Sequence, residues 1–156
     1  MGRGLLAAAA LIGVMVCGAA QAAGLPSGGL TRSEVSAWLA GQGYVAQEKA
    51  SDDGSVHLTS SYGGVNVGVY MFDCKGDRCG SLQFSSGWAT HGKFDTSQMN
   101  AWNRDKRWCR GYFDSVGDPW VEHDVDLTPG GTYELLGDEF QIFRKCVDDF
   151  RAKYSL

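Results

Sequence analysis

The segment that most constrains the fold runs from Trp120 to the end of the chain, because two different periodicities meet within it. Apolar and acidic residues alternate from Trp120 to Leu127, which predicts a strand with one buried and one solvated face. Beyond Pro129, apolar residues recur every three or four positions, which predicts a long amphipathic helix over 132–154. Together they predict an α+β fold, in which helices cover one face of an antiparallel sheet.

The earlier segments extend this pattern. Thr31 and Glu34 have the spacing of a capping box, which predicts a short first helix. Three alternating segments separated by turn residues predict an antiparallel meander over 56–59, 65–72 and 81–88. A short helix carrying Met99 and Trp102 and a strand over 107–114 follow. The predicted element order is therefore α-β-β-β-α-β-β-α.

The N-terminal residues have the composition of a secretory signal. One basic residue, Arg3, precedes an apolar run that is followed by the small-x-small sequence Ala20-Gln21-Ala22. This predicts a signal peptide over 1–22, a flexible lead-in over 23–29 and one domain over 30–156. The predicted location is periplasmic or secreted, with no membrane span after cleavage. An uncleaved membrane anchor and a lipoprotein acylated at Cys17 are the alternatives.

The charge balance argues against polyanionic partners. The whole chain carries a formal net charge of −4, and without residues 1–22 the charge is −5. An acidic domain does not attract phosphate backbones. Nucleic acid is therefore not an expected partner.

The predicted domain contains four cysteines, and an even number in an exported chain favours disulfides. Cys74 and Cys79 flank a turn sequence, which predicts that they pair across a hairpin. Cys109 and Cys146 would then join a strand to the last helix, stabilising the fold by roughly 3–4 kcal/mol. A four-cysteine zinc site and a redox pair are alternatives, although neither has its usual C-x-x-C spacing here.

Candidate catalytic residues are few. His57, His91 and His123 have no second ligand at metal spacing, so we expect structural histidines, no metal and no cofactor. His123 shares its strand face with apolar residues, so burial could make it pH-sensitive. The alternative is a hydrolase or metal-dependent enzyme that uses His91 or His123. Its carboxylates would come from an acidic ladder, which otherwise fits an exposed sheet edge: Glu122, Asp124 and Asp126.

Basic and aromatic residues are interleaved before the last strand. We expect the basic side chains to pair with the acidic ladder across a hairpin: Arg104, Lys106, Arg107 and Arg110. Tryptophans are numerous for one small domain, and exposed aromatic patches mark interaction sites. The candidate interaction surface consists of four of them: Trp88, Trp102, Trp108 and Trp120.

Several short motifs of this region occur together in one known family. They are Asn100-x-Trp102-Asn103, Arg110-Gly111-Tyr112-Phe113-Asp114, Gly117-Asp118, and Asp124-Val125-Asp126-Leu127 before Gly130-Gly131. With them the chain resembles the YbjN-domain family, described as "putative bacterial sensory transduction regulators", over roughly Leu30 to Tyr154. The resemblance implies a fold similar to type III secretion chaperones and no established catalytic activity. The signal peptide and the four cysteines distinguish this chain from the cytoplasmic members.

The resulting prediction is a non-catalytic, exported bacterial protein that binds an unidentified protein or peptide and could regulate envelope processes. An apolar or extended segment would bind at a sheet edge or on the aromatic patch. A homodimer is compatible with this prediction. The alternatives are the small periplasmic hydrolase or metal-dependent enzyme described above and a structural envelope protein.

Overall fold

The computed structural model describes residues 23–156, so the predicted signal peptide over 1–22 lies outside the described part. Three helices and seven strands follow one another along it. In chain order they are β1 (Leu30–Thr31), α1 (Arg32–Gly41), β2 (Gln47–Ala50), β3 (Val56–Tyr62), β4 (Val65–Lys75), β5 (Arg78–Gly87), α2 (Thr96–Asp105), β6 (Arg110–Phe113), β7 (Pro119–Asp126) and α3 (Tyr133–Tyr154).

The strands form one antiparallel sheet in the order β2-β3-β4-β5-β7-β6, and β1 pairs with the beginning of β5. Strands β2 to β5 are a meander, after which α2 leads to β6 and β7 returns between β5 and β6. The predicted α+β fold with an antiparallel sheet is confirmed. The predicted order lacks β1 and β2, because β1 has two residues and β2 has no apolar alternation and is exposed throughout.

The three helices cover one face of the sheet, as predicted. The apolar stripe of α3 is buried along its whole length: Leu136, Phe140, Phe143, Val147, Phe150 and Tyr154. Phe84 of β5 packs on this stripe, with its ring centroid 5.0 Å from that of Phe140. Trp38 of α1 and Trp102 of α2 reach the same stripe, the latter 4.8 Å from Phe150 between ring centroids. Burial of these large rings stabilises the fold.

Side-chain caps begin all three helices. Thr31 and Asp95 each take part in a full capping box with the residue three positions later, and Thr132 caps α3 by accepting a bond from the Leu135 amide. These caps satisfy amides that would otherwise lack partners in the first helical turn. The capping box predicted at Thr31 and Glu34 is therefore confirmed.

Two disulfide bonds connect the four cysteines. Cys74 pairs with Cys79 across the β4–β5 hairpin, and Cys109 pairs with Cys146 of α3, each with sulfur atoms 2.07 Å apart. The structure therefore has both predicted pairs and places no zinc site at these residues. Among residues 23–156, no helix is long and apolar enough to span a bilayer.

Residues 23–29, which we predicted to be a flexible lead-in, make backbone contacts with the start of α3. The Leu25 amide donates to the Gly131 carbonyl at 2.8 Å, and the Tyr133 amide donates to the Ala23 carbonyl at 3.1 Å. The side chain of Leu25 also packs against the core. These contacts hold the segment beside the loop that precedes α3.

Candidate functional site

Within residues 23–156, no helix packs on the second face of the sheet, which we call the open face. Strand alternation points one set of side chains towards the helices and the next set towards this face. The open face carries aromatic and polar residues from five strands: His57 on β3, Tyr70 on β4, Gln83 and Ser85 on β5, Trp120, Glu122, Asp124 and Asp126 on β7, and Arg110 and Tyr112 on β6.

A concavity of about 360 Å³ lies on this face over β4, β5, β7 and the edge strand β6, and we call it the open-face pocket. Its lining combines aromatic rings, hydroxyl groups and carboxylates: Tyr70, Gln83, Ser85, Tyr112, Asp114, Trp120 and Glu122. The volume is within the range of about 300–1,000 Å³ that is usual for ligand sites. It is large enough for a side chain of another protein.

Glycines let two of the rings lie flat on the sheet. Gly87 is directly opposite Trp120, and a β carbon on Gly87 would lie 2.4 Å from the nearest ring atom of Trp120. A β carbon on Gly68 would lie 2.8 Å from the ring of Tyr70. The absence of both side chains therefore determines where the walls of the pocket stand.

Glu122 is buried at the floor of the pocket although no helix covers it. Glu122 is 6% exposed, and across the sheet it lies between Ser85 of β5 and Arg110 of β6. The Arg110 guanidinium donates to the Glu122 carboxylate, and it also lies 6.0 Å from the centre of the Tyr112 ring. A buried carboxylate needs such a partner, because an unpaired charge at this depth is strongly destabilising.

This arrangement corrects the interpretation of the acidic ladder. Strand β7 lies between β5 and β6, so the ladder is not at a sheet edge, and Glu122 is not solvated. Among the four basic residues expected to pair with the ladder, Arg110 does so. Lys106 instead pairs with Asp149 of α3, and Arg104 pairs with the adjacent Asp105.

The pocket environment shifts the protonation of its phenols. Burial raises the pKa of Tyr112, and a hydrogen bond to the Glu122 carboxylate raises it further. Burial also raises the pKa of Tyr70, with a smaller contribution from the charge of Glu122. Both hydroxyls therefore stay protonated at neutral pH and can donate hydrogen bonds to a ligand.

Asp114 fixes the position of Trp120 from the β6–β7 turn. Its carboxylate accepts bonds from the Asp118 amide at 2.9 Å and the Trp120 indole N–H at 3.0 Å. The Asp118 amide and then the Trp120 indole lower the pKa of Asp114, so the carboxylate is charged at neutral pH. The pocket wall is thus held by the turn beneath it.

The structure does not bring the histidines together with the acidic ladder. His123 is on the helix-covered face, where its Nδ1 lies 3.0 Å from the Trp108 carbonyl oxygen and its Nε2 lies 2.7 Å from Glu139 Oε2. His91 is exposed in a loop, and His57 stacks on Tyr70 with burial lowering its pKa. Strand alternation places His123 and the acidic ladder on opposite faces of the sheet. This separation does not fit the enzyme alternative, in which a histidine and the ladder would act together.

The described residues 23–156 contain no group of three histidine, cysteine or acidic side chains that could hold a metal ion. The Glu122 carboxylate is paired with Arg110, and Asp124 accepts a bond from Gln83 Nε2 at 2.7 Å. Besides these bonded carboxylates, the open-face pocket presents aromatic rings and hydroxyl groups.

The four tryptophans proposed as an interaction surface do not share one surface. Trp102 is completely buried, and Trp88 stacks on Phe150 beneath the helices with ring centroids 5.2 Å apart. Trp108 is 53% exposed but lies outside the open-face pocket. Trp120 alone among the four lines the pocket, and it stacks on Tyr112 at 6.5 Å between ring centroids.

Helix α2 closes one of the two sheet edges to an incoming strand. The Asn103 side chain donates to the Gly111 carbonyl at 2.9 Å and accepts from the Gly111 amide at 2.7 Å, as a neighbouring strand would. The Trp102 indole N–H donates to the Cys109 carbonyl at 3.2 Å. Strand addition at β6 is therefore blocked. The other edge of the sheet, β2, has four residues and is exposed.

These features define the class of the protein: an α+β domain with helices on one face of a single antiparallel sheet and a concave, aromatic and acidic second face. Within this class, the chain belongs to the YbjN family, whose sequence profile matches residues 31–154 and whose description is "Putative bacterial sensory transduction regulator". Neither a curated protein nor a solved structure shows significant similarity to the chain. The suspected family membership is confirmed.

Proposed function

We propose that this protein is an exported, non-catalytic regulator that binds a segment of another protein on the open face of its sheet. The observation that supports the proposal best is the open-face pocket, in which Trp120, Tyr70 and Tyr112 surround the buried Glu122. A sheet face that only met solvent would not need glycines to seat large rings around a concavity. The family description supports the regulatory role.

The closed β6 edge limits how a partner can bind. Because Asn103 and α2 occupy that edge, a segment would lie across the open face instead of extending the sheet at β6. Aromatic side chains with polar tips are frequent at protein interfaces, since they provide contact area and hydrogen bonds together. Trp88, Trp102 and Trp108 are not part of this surface.

Site-specific photo-crosslinking in living cells tests the proposal. A photoreactive amino acid replaces Tyr112 at the rim of the open-face pocket, and the matched control carries it at Gln141 on the exposed side of α3. We expect a discrete protein adduct from position 112 that disappears when Trp120→Ala is added, and no such adduct from position 141. Equal adducts from both positions, or none from position 112, would contradict the proposal.

Export is supported by the two disulfides, because disulfides persist in oxidising compartments. Mass spectrometry of protein from its own cells, alkylated without reduction, measures the number of free thiols. We expect a chain that begins near residue 23 with all four remaining cysteines oxidised. Four alkylated cysteines would show that the protein stays in the cytoplasm, whereas an intact N-terminus with oxidised cysteines would fit the uncleaved membrane anchor.

A further inference from the structure

The open face carries negative charge that other side chains leave uncompensated. Asp124 and Asp126 are exposed on β7, and neither forms an ion pair with a described residue. Among residues 23–156, two cations share this face: Arg110, which is bound to Glu122, and Lys49 of β2, which lies beyond three intervening strands. The surface along β7 is therefore complementary in charge to a basic partner.

A cation lies beside the pocket, at one end of this acidic row. The Arg110 guanidinium is bound to the Glu122 carboxylate and lies 6.0 Å from the centre of the Tyr112 ring, and its side chain is 61% exposed while that of Glu122 is 8% exposed. Aromatic faces next to carboxylates favour guanidinium and ammonium groups. The chain's own arginine thus shows which chemical group the rim of the pocket at Tyr112 accommodates.

A buried hydroxyl on the pocket floor adds a second polar contact point. Ser85 is 2% exposed and lines the pocket. A serine hydroxyl can donate as well as accept a hydrogen bond. A ligand group that enters between Trp120 and Tyr70 could hydrogen-bond to it.

The spacing of the carboxylates suits an extended chain. Residues two apart on a strand are separated by roughly 6.6–6.8 Å, and the side chains of a bound extended segment repeat at the same interval. Basic residues at alternate positions of a partner would therefore meet Asp124 and Asp126 in turn, and the next one would lie over the open-face pocket. A second copy of this chain would instead oppose like charges on this face, which disfavours a face-to-face dimer.

We infer that the partner segment is an extended, basic stretch of a protein, with one lysine or arginine in the open-face pocket and the next ones along Asp124 and Asp126. This inference rests on the proposed function and adds to it the chemistry of the partner. The bound segment runs along β7, and the aliphatic part of the lysine or arginine in the pocket contacts Tyr70 and Trp120. Its affinity falls as ionic strength rises, because exposed ion pairs are screened.

Fluorescence anisotropy with the oxidised, processed protein tests this inference. The probes are three labelled peptides in which lysine, glutamine or glutamate alternates with valine. The test variant is Asp124→Asn with Asp126→Asn. The matched control, Glu134→Gln with Asp138→Asn, removes the same charge from the exposed side of α3. We expect the lysine peptide to bind best, and the test variant to bind it about three- to tenfold more weakly, with the control unchanged.

The possible outcomes separate this inference from the function on which it rests. Equal binding of the lysine and glutamine peptides, or equal losses in test and control variants, would overturn the basic partner and leave an open-face partner in place. A concentration-dependent dimer abolished by Trp120→Ala would show that a second copy occupies the face and would also overturn it. Failure of all three peptides overturns the inference, whereas the proposed function fails if position 112 gives no crosslink or gives no more than position 141.

Discussion

The two faces of the sheet bury side chains in different ways, although the same strands build both. On the helix-covered face, Phe84 and its neighbours are enclosed by three helices, and the contacts are almost entirely apolar. On the open face, Glu122 and Ser85 are buried by the rings of neighbouring strand residues. Helices cover one face of the sheet, whereas on the open face the side chains of the strands themselves bury Glu122 and Ser85.

This difference separates stability from recognition. Rings enclosed by helices cannot leave without creating a cavity, so the helix-covered face contributes most of the folding free energy. The rings that lie over Gly87 and Gly68 are half-buried and border solvent, and no described helix covers them. Contact with a partner on the open face would therefore leave the core undisturbed, provided that α3 and α2 stay packed.

The largest expected effect comes from comparing one tryptophan on each face. Trp102→Ala removes a fully buried ring and its bond to the Cys109 carbonyl, so we expect a loss of about 3–5 kcal/mol in the free energy of unfolding. Trp120→Ala removes a half-buried ring and should cost about 1–2 kcal/mol. Denaturant unfolding of the oxidised proteins measures both. Equal losses would mean that the open face contributes to the core after all.

The assignment of residues to the two faces follows from the sequence. Period two along 120–127 correctly separated His123 and Val125 from Glu122 and Asp124, because side-chain direction in a strand is set by the backbone alone. The stripe of α3 was equally predictable from its three- and four-residue spacing. Strand β2 was not predictable in this way, because backbone hydrogen bonds pair it with β3 and all four of its side chains are exposed.

A matched pair of glycine substitutions sharpens the comparison at a smaller scale. A β carbon on Gly111 would lie 2.4 Å from Met99 Sδ and 2.9 Å from the Trp102 ring, which are enclosed by α2. We expect Gly111→Ala to cost about 1–3 kcal/mol, since an overpacked core cannot relax freely. At Gly87 the neighbour is Trp120, which can move outwards, so Gly87→Ala should cost less than about 1 kcal/mol. Thermal and denaturant unfolding would show the order, and a reversed order would contradict it.

The open-face pocket was harder to predict than the fold. Tryptophan content suggested an interaction surface, but the depth of each ring depends on which strands become neighbours. Trp102 is buried because Gly111 admits α2 close to β6, and no local pattern reveals that contact. The sequence Gly68-x-Tyr70 and the glycine at 87 are signals that could have located the pocket, since a strand glycine often seats a ring. They become informative only with the register known.

The smallest effect that we predict concerns the ionisation of Tyr112. Burial, and then the Glu122 carboxylate, raise the pKa of this phenol above the ordinary value of about 10. Because the folded state disfavours the phenolate, this contribution to stability is complete below about pH 10 and is lost as the pH rises through the raised pKa. Trp120→Ala opens the pocket to water and should shift the pKa of Tyr112 downwards. Ultraviolet absorbance of tyrosinate, compared with a Tyr112→Phe variant to isolate the signal, measures the shift.

Trp108→Ala provides the control, because this exposed tryptophan lies outside the pocket and its removal leaves the surroundings of Tyr112 intact. We expect an unchanged Tyr112 titration in that variant, whereas in Trp120→Ala the tyrosinate of Tyr112 should form at a lower pH. If both variants titrate like the wild type, water already reaches Tyr112 and the open face does not enclose its polar groups. If Trp120→Ala alone shifts the titration, a single ring over a glycine separates the floor of the pocket from solvent, and a partner that displaces this ring gains access to Glu122.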